Sequence, residues 1–359
     1  MGREVVRRPQ PDNAVWSLEV VGRPPAARRK VVFPAVAAGL LVWAALLSAC
    51  VTTSPRSVPE GPAVELRRDD AVGRLTVVID GREAFVYQYA SGLDLPHYWP
   101  MNSPSGKNML VAHPDPYPHH RSFWFADTVR LDGGRDVSAY NALYSGQKMG
   151  EDSYGPPFKD HIRHVDFTRV EAAGGRAVIE ARLIWEMDGD KPILDEKRRL
   201  VMHALGGGEY LLDLVFELTA TYGDVEFVSD AVHYAWPFLR LQTRWSGEGG
   251  GKIITNTGAS GEKATNLQPA EWLDYSNTVE GETAGVAVFQ RPDGQEHRWL
   301  TREYGTFGPR RPDDQSGVPF ALKKGASITQ RVGVLVHRGD VAGGWVAERY
   351  QQYIEGGWR

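Results

Sequence analysis

The feature that most constrains the fold is a series of four strand-like segments between residues 167 and 220. Turn residues separate the segments: Gly174-Gly175, Asp188-Gly189-Asp190 and Gly206-Gly207-Gly208. Within the second segment, Ala181, Leu183 and Trp185 alternate with charged side chains. Alternation with a period of two buries one face of a sheet and leaves the other face in water. The sequence therefore predicts a four-stranded antiparallel meander and an all-β domain.

The segments on either side of this meander extend the same pattern. A hairpin is predicted for LTVVID-GR-EAFVYQY, with Asp80-Gly81 at the turn, and ITQRVGVLVH near the carboxyl end predicts another strand. Helical periodicity is convincing only at residues 341–354, where five residues could line one side: Trp345, Val346, Arg349, Tyr350 and Tyr353. We therefore predict one large antiparallel β-sandwich with a single C-terminal helix over residues 63–359.

An export signal precedes this domain. Residues 31–49 form an apolar stretch of 19 residues that follows Arg28-Arg29-Lys30 and stops at Cys50, the only cysteine of the chain. Leu47-Ser48-Ala49-Cys50 matches the lipobox of bacterial lipoproteins, in which the cysteine is acylated and becomes the new amino terminus. We predict a signal peptide over residues 1–49, a lipid on Cys50 and a tether over residues 50–62. A single-pass membrane anchor is the alternative that the length permits.

The residue after the predicted lipidation site indicates to which membrane the protein is sorted. Val51, rather than aspartate, follows Cys50. By resemblance to lipoproteins, this residue favours sorting to the outer membrane. We expect the chain in the bacterial cell envelope, attached to the membrane by its lipid and facing the periplasm.

Charge and cysteine content exclude several classes of function. The 41 basic and 45 acidic side chains give a formal net charge of −4, which leaves no basic excess to bind a nucleic-acid backbone. A single cysteine excludes an internal disulfide and every cysteine-rich metal site. Neither a glycine-rich dinucleotide motif nor a phosphate-binding loop occurs, so no nucleotide cofactor is expected. Histidine and oxygen ligands for a divalent metal remain open.

The densest functional pattern is the loop HPDPYPHHRSFWF, which begins at His113. Imidazole titrates near neutral pH, and a guanidinium can hold a carboxylate or an oxyanion through two parallel hydrogen bonds. Neighbouring side chains of an extended segment point to opposite sides, so at most one of His119 and His120 is expected to face a given pocket. We predict that these histidines and Arg121 carry proton transfer and anion binding. The alternative is that they satisfy backbone groups of the loop.

Other polar residues could complete this chemistry. Glu262 and Asp274 are candidates for a general acid and base, and Lys263 would lower the pKa of a neighbouring carboxylate. His161 is a further candidate, although its spacing from His164 gives only a weak metal signal. For the carboxylates, a glycine turn flanked by surface charge is the alternative. A lone His233 fits a buried structural histidine as well as a ligand.

Aromatic residues are frequent near these polar segments. The chain has 11 tryptophans and 14 tyrosines. An aromatic ring covers the apolar face of a sugar while polar side chains bind its hydroxyls. We therefore predict a carbohydrate ligand, contacted by His113, Trp124, Lys263, Trp272, Tyr275 and Tyr304.

Several motifs together resemble the PmoA family, which is labelled methane oxygenase. They are HPxxxPHHRSFWFA, GASGEKA followed by WLDYS, GVAVFQRP and REYGTFG, and the likeness spans residues 94–310. Four residues fit a further part of the family pattern: Trp185, Gly189, Glu196 and Arg198. Ser122 stands where relatives have glycine, and residues 230–234 also depart from the pattern. The resemblance implies a galactose-mutarotase-like β-sandwich and a role beside sugar-processing enzymes.

Three hypotheses about function follow. The first is an exported, lipid-anchored enzyme that cleaves or isomerises a glycoside or an oxidised sugar by acid/base chemistry. The second is a noncatalytic lipoprotein that binds glycans through the same aromatic loops. The third, which the family label suggests, is an oxygenase whose divalent metal is held by histidines.

Overall fold

The structure is a computed structural model that describes residues 61–144, 148–149, 152–153, 159–229, 234–294, 297–311 and 319–357. The predicted signal peptide, Cys50, residues 51–60 of the tether and His233 lie outside the described residues. The predicted domain boundaries, the lipid and the location therefore stay predictions.

Strands dominate the described part of the chain. In chain order they are β1 (Val64–Asp69), β2 (Arg74–Ile79), β3 (Arg82–Gln88), β4 (His97–Met101), β5 (Phe123–Trp124), β6 (Val129–Leu131), β7 (Lys148–Met149), β8 (Asp152–Ser153), β9 (His161–Ala173), β10 (Arg176–Met187), β11 (Lys191–Gly206), β12 (Glu209–Thr219), β13 (Val225–Phe227), β14 (Phe238–Arg240), β15 (Lys252–Thr255), β16 (Trp272–Val279), β17 (Glu282–Gln290), β18 (Trp299–Thr301), β19 (Thr306–Pro309), β20 (Phe320–Leu322) and β21 (Ser327–Arg338). The helices are α1 (Glu262–Thr265) and α2 (Val346–Glu355), with 3-10 turns at Ala139–Tyr144 and Thr243–Trp245.

Two eight-stranded antiparallel sheets organise the described residues. The first sheet has the order β1-β2-β3-β4-β5-β14-β19-β18, and the second has the order β15-β16-β17-β21-β12-β11-β10-β9. A three-stranded sheet, β20-β13-β6, and the β7-β8 ribbon are separate from them. The short strands β5, β14 and β19 are neighbours in the first sheet although they lie far apart in the sequence, and they support the site described below.

The predicted meander and hairpin are confirmed. Strands β9, β10, β11 and β12 pair consecutively, and the predicted strand near the carboxyl end is β21. Asp80 and Gly81 join β2 to β3 with positive φ angles of 50° and 78°. A two-residue turn with both φ angles positive matches the twist of a hairpin, which explains why Asp-Gly stands there.

The hydrophobic core lies between the two large sheets. Phe125, directly after β5, stacks on Phe216 of β12 at 4.2 Å between ring centroids, and Phe85 of β3 contacts Tyr210 of β12 at 6.0 Å. Arg198 of β11, which is ion-paired with Glu196 of the same strand at 2.7 Å, donates to the Pro96 carbonyl directly before β4 at 3.4 Å. These contacts confirm the predicted antiparallel β-sandwich.

The C-terminal helix is shorter than the predicted span. It begins at Val346, because Trp345 before it has a left-handed backbone with φ of 52°. Val346, Tyr350 and Tyr353 are buried as predicted, whereas the Trp345 side chain is 62% exposed. This buried stripe packs on the outer face of the second sheet against Trp272, Phe289 and Leu335.

Candidate active site

The histidine loop forms a tight hairpin that leads into β5. The backbone N–H of His113 donates to the carbonyl of His120 at 2.8 Å, and the His120 N–H donates to the Tyr117 carbonyl at 3.0 Å. Ala112 and Arg121 are bridged as an isolated antiparallel pair. The loop's own backbone hydrogen bonds therefore fix the position of His119 and His120.

Arg121 holds this loop to its neighbours. Its buried guanidinium donates from Nη2 to Asp94 Oδ2 at 2.6 Å and from Nη1 to the Pro118 carbonyl at 3.0 Å. The His113 ring is also turned to the loop, with its Nδ1 2.8 Å from the Pro118 oxygen. Both side chains thus bind protein groups, and Arg121 has the geometry of a positioning residue.

Strands β5 and β14 build the floor beneath the loop. Trp124 and Phe238 are cross-strand partners whose rings stack at 4.6 Å with an interplanar angle of 1°. Because strand side chains alternate, Arg240 lies on the same face as Phe238, while Phe123 and Leu239 point the other way. This face is the one turned away from the second sheet.

Above that floor lies a compact group that we call the His120 cluster. Its members are Tyr117, His119, His120, Trp124, Tyr140, Tyr234, Phe238, Arg240 and Tyr304. His120 contacts the Trp124 ring at 5.4 Å and stacks on Tyr117 at 5.1 Å. Tyr117 in turn stacks on Tyr304 at 5.1 Å, and the Arg240 guanidinium lies 4.5 Å from the Tyr304 ring centroid. Distant parts of the chain thus meet at one site.

Polar nitrogen atoms in this cluster are buried without partners among the described residues. They are Nδ1 of His120, Nε1 of Trp124, and Nε and Nη1 of Arg240. Arg240 is only 5% exposed, and the described residues place no carboxylate within ion-pair distance of it. An unpaired buried polar group costs roughly 1–3 kcal/mol, and such groups in native proteins call for an explanation. A polar ligand among these rings would supply the missing partners.

Burial keeps both histidines neutral at physiological pH. It lowers the pKa of His119 to about 4, with the Arg121 charge adding to the effect. It lowers the pKa of His120 to about 2, and His119, Arg240 and Arg121 lower that pKa further. Neither ring is therefore a cationic acid, and each has one ring nitrogen that carries no proton.

Burial also lowers the pKa of the Arg240 guanidinium from its ordinary value, although Tyr304 and Glu248 oppose the shift. An arginine pKa lies so far above neutrality that the group stays charged. The cluster therefore contains a cation beside neutral bases, which suits an oxyanion or a carboxylate.

Glu262 and Lys263 lie outside this group. The Glu262 N–H donates to Glu303 Oε1 at 2.9 Å, and the Glu303 N–H donates to Glu262 Oε2 at 2.7 Å. This reciprocal pair ties α1 to the loop before β19, and Lys263 is exposed to solvent. Tyr275 is buried in the core, where its ring contacts Phe307 at 4.3 Å.

Asp274 and Trp272 face away from the core, toward α2. Trp272 belongs to the buried group beneath α2. Asp274 Oδ2 accepts a hydrogen bond from His337 Nε2 at 2.7 Å, and both side chains are fully buried. Burial lowers the pKa of His337, but the charge and hydrogen bond of Asp274 outweigh it, so the net shift is upward. The geometry gives Asp274 a structural partner and no contact with the His120 cluster.

His161 likewise has its own partner. Its Nε2 lies 2.8 Å from Glu186 Oε2, and the Arg163 guanidinium binds the same carboxylate through two hydrogen bonds. Of the predicted site residues, the structure brings together His119, His120, Trp124 and Tyr304, with Arg121 and His113 holding the loop. It does not bring His161, Glu262, Lys263, Trp272, Asp274 or Tyr275 into that group.

Sequence reasoning missed five members of the cluster: Tyr117, Tyr140, Tyr234, Phe238 and Arg240. For Arg240 a signal existed, because it is a lone charge in the apolar run Trp-Pro-Phe-Leu-Arg-Leu. A charged side chain in a buried strand needs a partner, which marks it for attention. The aromatic members carry no comparable signal, since aromatic residues are common in any core.

The described residues show neither a preformed metal centre nor a membrane-spanning helix. No group of three or more His, Cys, Asp or Glu side chains there is arranged to hold a metal ion. Among the helices in that part of the chain, none has the length and apolar character needed to span a bilayer.

Solved structures with a related shape include sugar enzymes. An alpha-galactosidase from Lactobacillus brevis is 8% identical with a TM-score of 0.40, over 77% of this chain and 40% of that chain. A galactose 1-epimerase from Lactobacillus acidophilus is 8% identical with a TM-score of 0.34, over 78% of this chain and 100% of that chain. An aldose epimerase homologue from C. elegans is 9% identical with a TM-score of 0.26, over 77% of this chain and 100% of that chain.

Those TM-scores are too low to support any conclusion about activity. The chain also spans only 40% of the length of the galactosidase. No curated protein matches the sequence.

A family model matches residues 74–351, more than half of the 359-residue chain, and is described as a family of unknown function, DUF6807. The resemblance to the PmoA family is therefore wrong. Its motifs were short, and here Gly-Glu-Lys forms the start of the short helix α1 while Trp-Leu-Asp-Tyr-Ser lies in the buried strand β16. The metal-oxygenase hypothesis rested on that family label and loses its support. The chain belongs to DUF6807, a family of unknown function.

Proposed function

We propose that the chain is an exported, lipid-anchored enzyme that acts by acid/base chemistry on a sugar bearing a carbonyl or carboxylate group. One observation carries the proposal: nitrogen atoms of His120, Trp124 and Arg240 that are buried without partners among the described residues lie in one aromatic cluster. A ligand that satisfies them needs several oxygen atoms on a ring with an apolar face. An oxidised sugar has both features.

The aromatic residues would bind the sugar ring. Tyr117 and Tyr304 are both partly exposed, and their stacked rings present apolar surface next to His120. Carbohydrate C–H groups pack on such faces, and the charged Arg240 would hold an anionic or carbonyl oxygen of the same ring.

The proposed step is removal of a proton from a carbon next to a carbonyl. The C–H bond breaks, His120 Nδ1 gains the proton, and the electron pair moves to the carbonyl oxygen, where Arg240 stabilises the negative charge. Where the deprotonated carbon carries a hydroxyl group, transfer of the hydroxyl proton to the carbonyl oxygen and return of the first proton to the former carbonyl carbon move the carbonyl to the next position and give an isomer. Departure of an oxygen substituent from the next carbon, with its electron pair, gives cleavage instead.

Turnover separates this enzyme from the noncatalytic alternative. We would incubate the protein with glycosides, their keto derivatives and uronates, and measure product together with calorimetric affinity. His120→Asn should reduce turnover by about 10²–10⁴-fold, because a positioned base is worth that much, while affinity changes far less. His164→Asn is the matched control, since His164 packs against Tyr89 and Phe167 outside the cluster. If the protein binds these sugars but forms no product in any condition, the enzyme hypothesis is wrong and the protein is a glycan-binding protein.

A further inference from the structure

A second charged site lies on the outer face of the second sheet. It is a groove of about 340 Å³ that crosses β10, β11, β12 and β21 and reaches the end of α2. Its charged lining consists of four arginines and one aspartate: Arg176, Arg199, Arg291, Arg331 and Asp213. We call it the arginine groove. It belongs to the opposite sheet from the His120 cluster and contributes nothing to that site.

Alternation along the strands explains why these charges share one face. Arg176 of β10 is paired with His203 of β11, and Val201 of β11 is paired with Asp213 of β12. The intervening residues Ala177, Met202 and Leu212 point into the core. The arginines therefore form a set on the solvent side of an otherwise buried sheet.

Most of these arginines use only some of their N–H groups in hydrogen bonds within the protein. Arg331 binds Asp213 through two hydrogen bonds of 2.8 and 2.5 Å, and Arg199 Nε donates to Glu180 Oε1 at 3.1 Å. Arg291 Nη1 donates to the Tyr353 carbonyl at the end of α2, at 3.4 Å. The positive charges exceed the negative ones even after these pairs are counted.

Arg176 has no hydrogen-bonded partner of this kind, and the nearby carboxylate of Glu171 is already bound by Arg169. The described residues give its guanidinium no hydrogen bond or ion pair, and its Nε is buried. Burying that N–H without an acceptor is unfavourable, and an oxyanion bound in the groove would supply one. Guanidinium groups match phosphate oxygens in two-point hydrogen bonds, so phosphate is the chemistry that fits.

The path of the chain indicates where that phosphate comes from. The Val64 N–H, at the start of β1, donates to the Gly174 carbonyl at 3.0 Å, and Pro62 lies against Gly175. Arg176 is the next residue along that turn. The segment that leads from the predicted lipid therefore joins the domain at the rim of the groove.

We propose that the arginine groove binds phosphate-bearing headgroups of the membrane to which the chain is attached. The choice of the membrane as the source of the phosphate rests on the proposed lipid attachment at Cys50. The choice of phosphate as the ligand rests on the arginines of the groove. Basic side chains near an anionic membrane each add measurably to binding, and salt weakens their effect.

Vesicle binding tests the proposal. The full chain carrying Cys50→Ser, which removes the lipid, is sedimented with phosphatidylcholine vesicles and with vesicles that also contain phosphatidylglycerol, at low and high salt. The apolar residues 31–49 would attach the chain to both kinds of vesicle, so the difference in binding between the two kinds is the quantity compared. We expect tighter binding to the second kind at low salt, and binding about tenfold weaker when Arg176→Glu is added. Arg74→Glu is the matched control, because Arg74 is an exposed arginine opposite Asp69, at the far end of β1 from Val64.

Three results would overturn the proposal. Equal vesicle binding by the Arg176→Glu and Arg74→Glu chains would remove the groove from membrane binding. Stabilisation by inorganic phosphate alone, with no gain from phosphatidylglycerol, would assign the groove to free phosphate. Retention on a sulfated glycan that Arg176→Glu abolishes, with vesicle binding unchanged, would assign it to acidic sugars. Palmitate labelling of the unchanged chain, which retains Cys50, is measured separately. A chain that is not lipidated can therefore be distinguished from a groove that does not bind phosphate headgroups.

Discussion

At the residue scale, Arg240 sets binding against stability. Two nitrogen atoms of its buried guanidinium have no partner among the described residues, and the contact with the Tyr304 ring and the charge of Glu248 offset part of that cost. We predict that Arg240→Met raises the free energy of unfolding by about 1 kcal/mol. The variant removes the cost of burying a charged guanidinium, and this gain exceeds the loss of the cation–π contact. The same variant should lose affinity for acidic or keto sugars. Urea denaturation without ligand measures the first effect and calorimetry the second. A clear loss of stability would show that the protein itself satisfies Arg240.

The two loop histidines predict how stability depends on pH. Burial, the first cause in each case, lowers the pKa of His119 to about 4 and that of His120 to about 2, against about 6.5 in an unfolded chain. The folded state therefore binds fewer protons than the unfolded state. Their contribution to stability is complete above pH ~6.5 and is lost as pH falls through the folded pKa values.

Urea denaturation between pH 7 and pH 4 checks this prediction. Other buried histidines, including His97 and His164, also have pKa values lowered to about 4, so the wild-type slope alone is not diagnostic. We expect a shallower slope for His119→Asn than for the unchanged chain. An identical slope would place a proton on His119 in the folded state.

The same histidines show what sequence can reveal about single residues. Three histidines and an arginine within nine positions identified the loop, and the structure places His119 and His120 in the cluster. Arg121 binds Asp94, which comes from a segment 27 positions earlier. No local pattern could have shown that partner, because strand pairing brings it there.

At the element scale, β16 separates residues that a motif had grouped. Trp272 and Asp274 face α2, whereas Tyr275 faces the core. The period of two within Trp-Leu-Asp-Tyr could have separated Asp274 from Tyr275 in advance. The meander was predictable for the same reason, since glycine turns divide long alternating strands. The start of α2 was not, because its hydrophobic period continues through a segment where the backbone is a turn.

The Asp274–His337 pair yields a prediction for this element. We predict that Asp274→Asn lowers the free energy of unfolding by about 3 kcal/mol, because it removes the carboxylate that is hydrogen-bonded to the fully buried His337. Sugar affinity should stay within twofold of the unchanged chain. Denaturation and calorimetry together make the test, with Glu262→Gln as a control on a half-exposed carboxylate that should cost under about 1 kcal/mol. If Asp274→Asn instead abolished turnover without changing stability, Asp274 would have a catalytic role.

The pair also carries a pH dependence of opposite sign to the loop histidines. The folded pKa of His337 is raised above its ordinary value. Its contribution to stability is therefore complete below the unfolded pKa and is lost as pH rises through the folded value. Asp274→Asn should remove that decline, which begins as pH rises above about 6.5.

At the scale of the whole molecule, the site depends on strand order. Strands β5, β14 and β19 are separated by long stretches of sequence, yet they are adjacent in the first sheet. The sequence predicted that a sandwich would form, but not which distant strands would be neighbours. That order decides which loops meet, and so which of the predicted residues share a site.

The predicted lipid is tested on the intact chain. We predict that Cys50→Ser abolishes labelling by radioactive palmitate, because the thiol is the acceptor in a lipobox. The unchanged chain should be labelled and should fractionate with membranes. Equal labelling of both chains would rule out lipidation at Cys50 and leave the membrane-anchor alternative.

The ends of the two sheets determine how these molecules behave when crowded. β1 and β9 are terminal strands, and charged side chains run along both: Glu65, Arg67, Arg68, Arg163, Asp166, Arg169 and Glu171. A strand with an unpaired backbone edge can add to a strand of another copy, and charge along the edge opposes that pairing. Charge along these two edges therefore opposes edge-to-edge joining of the sheets of two copies.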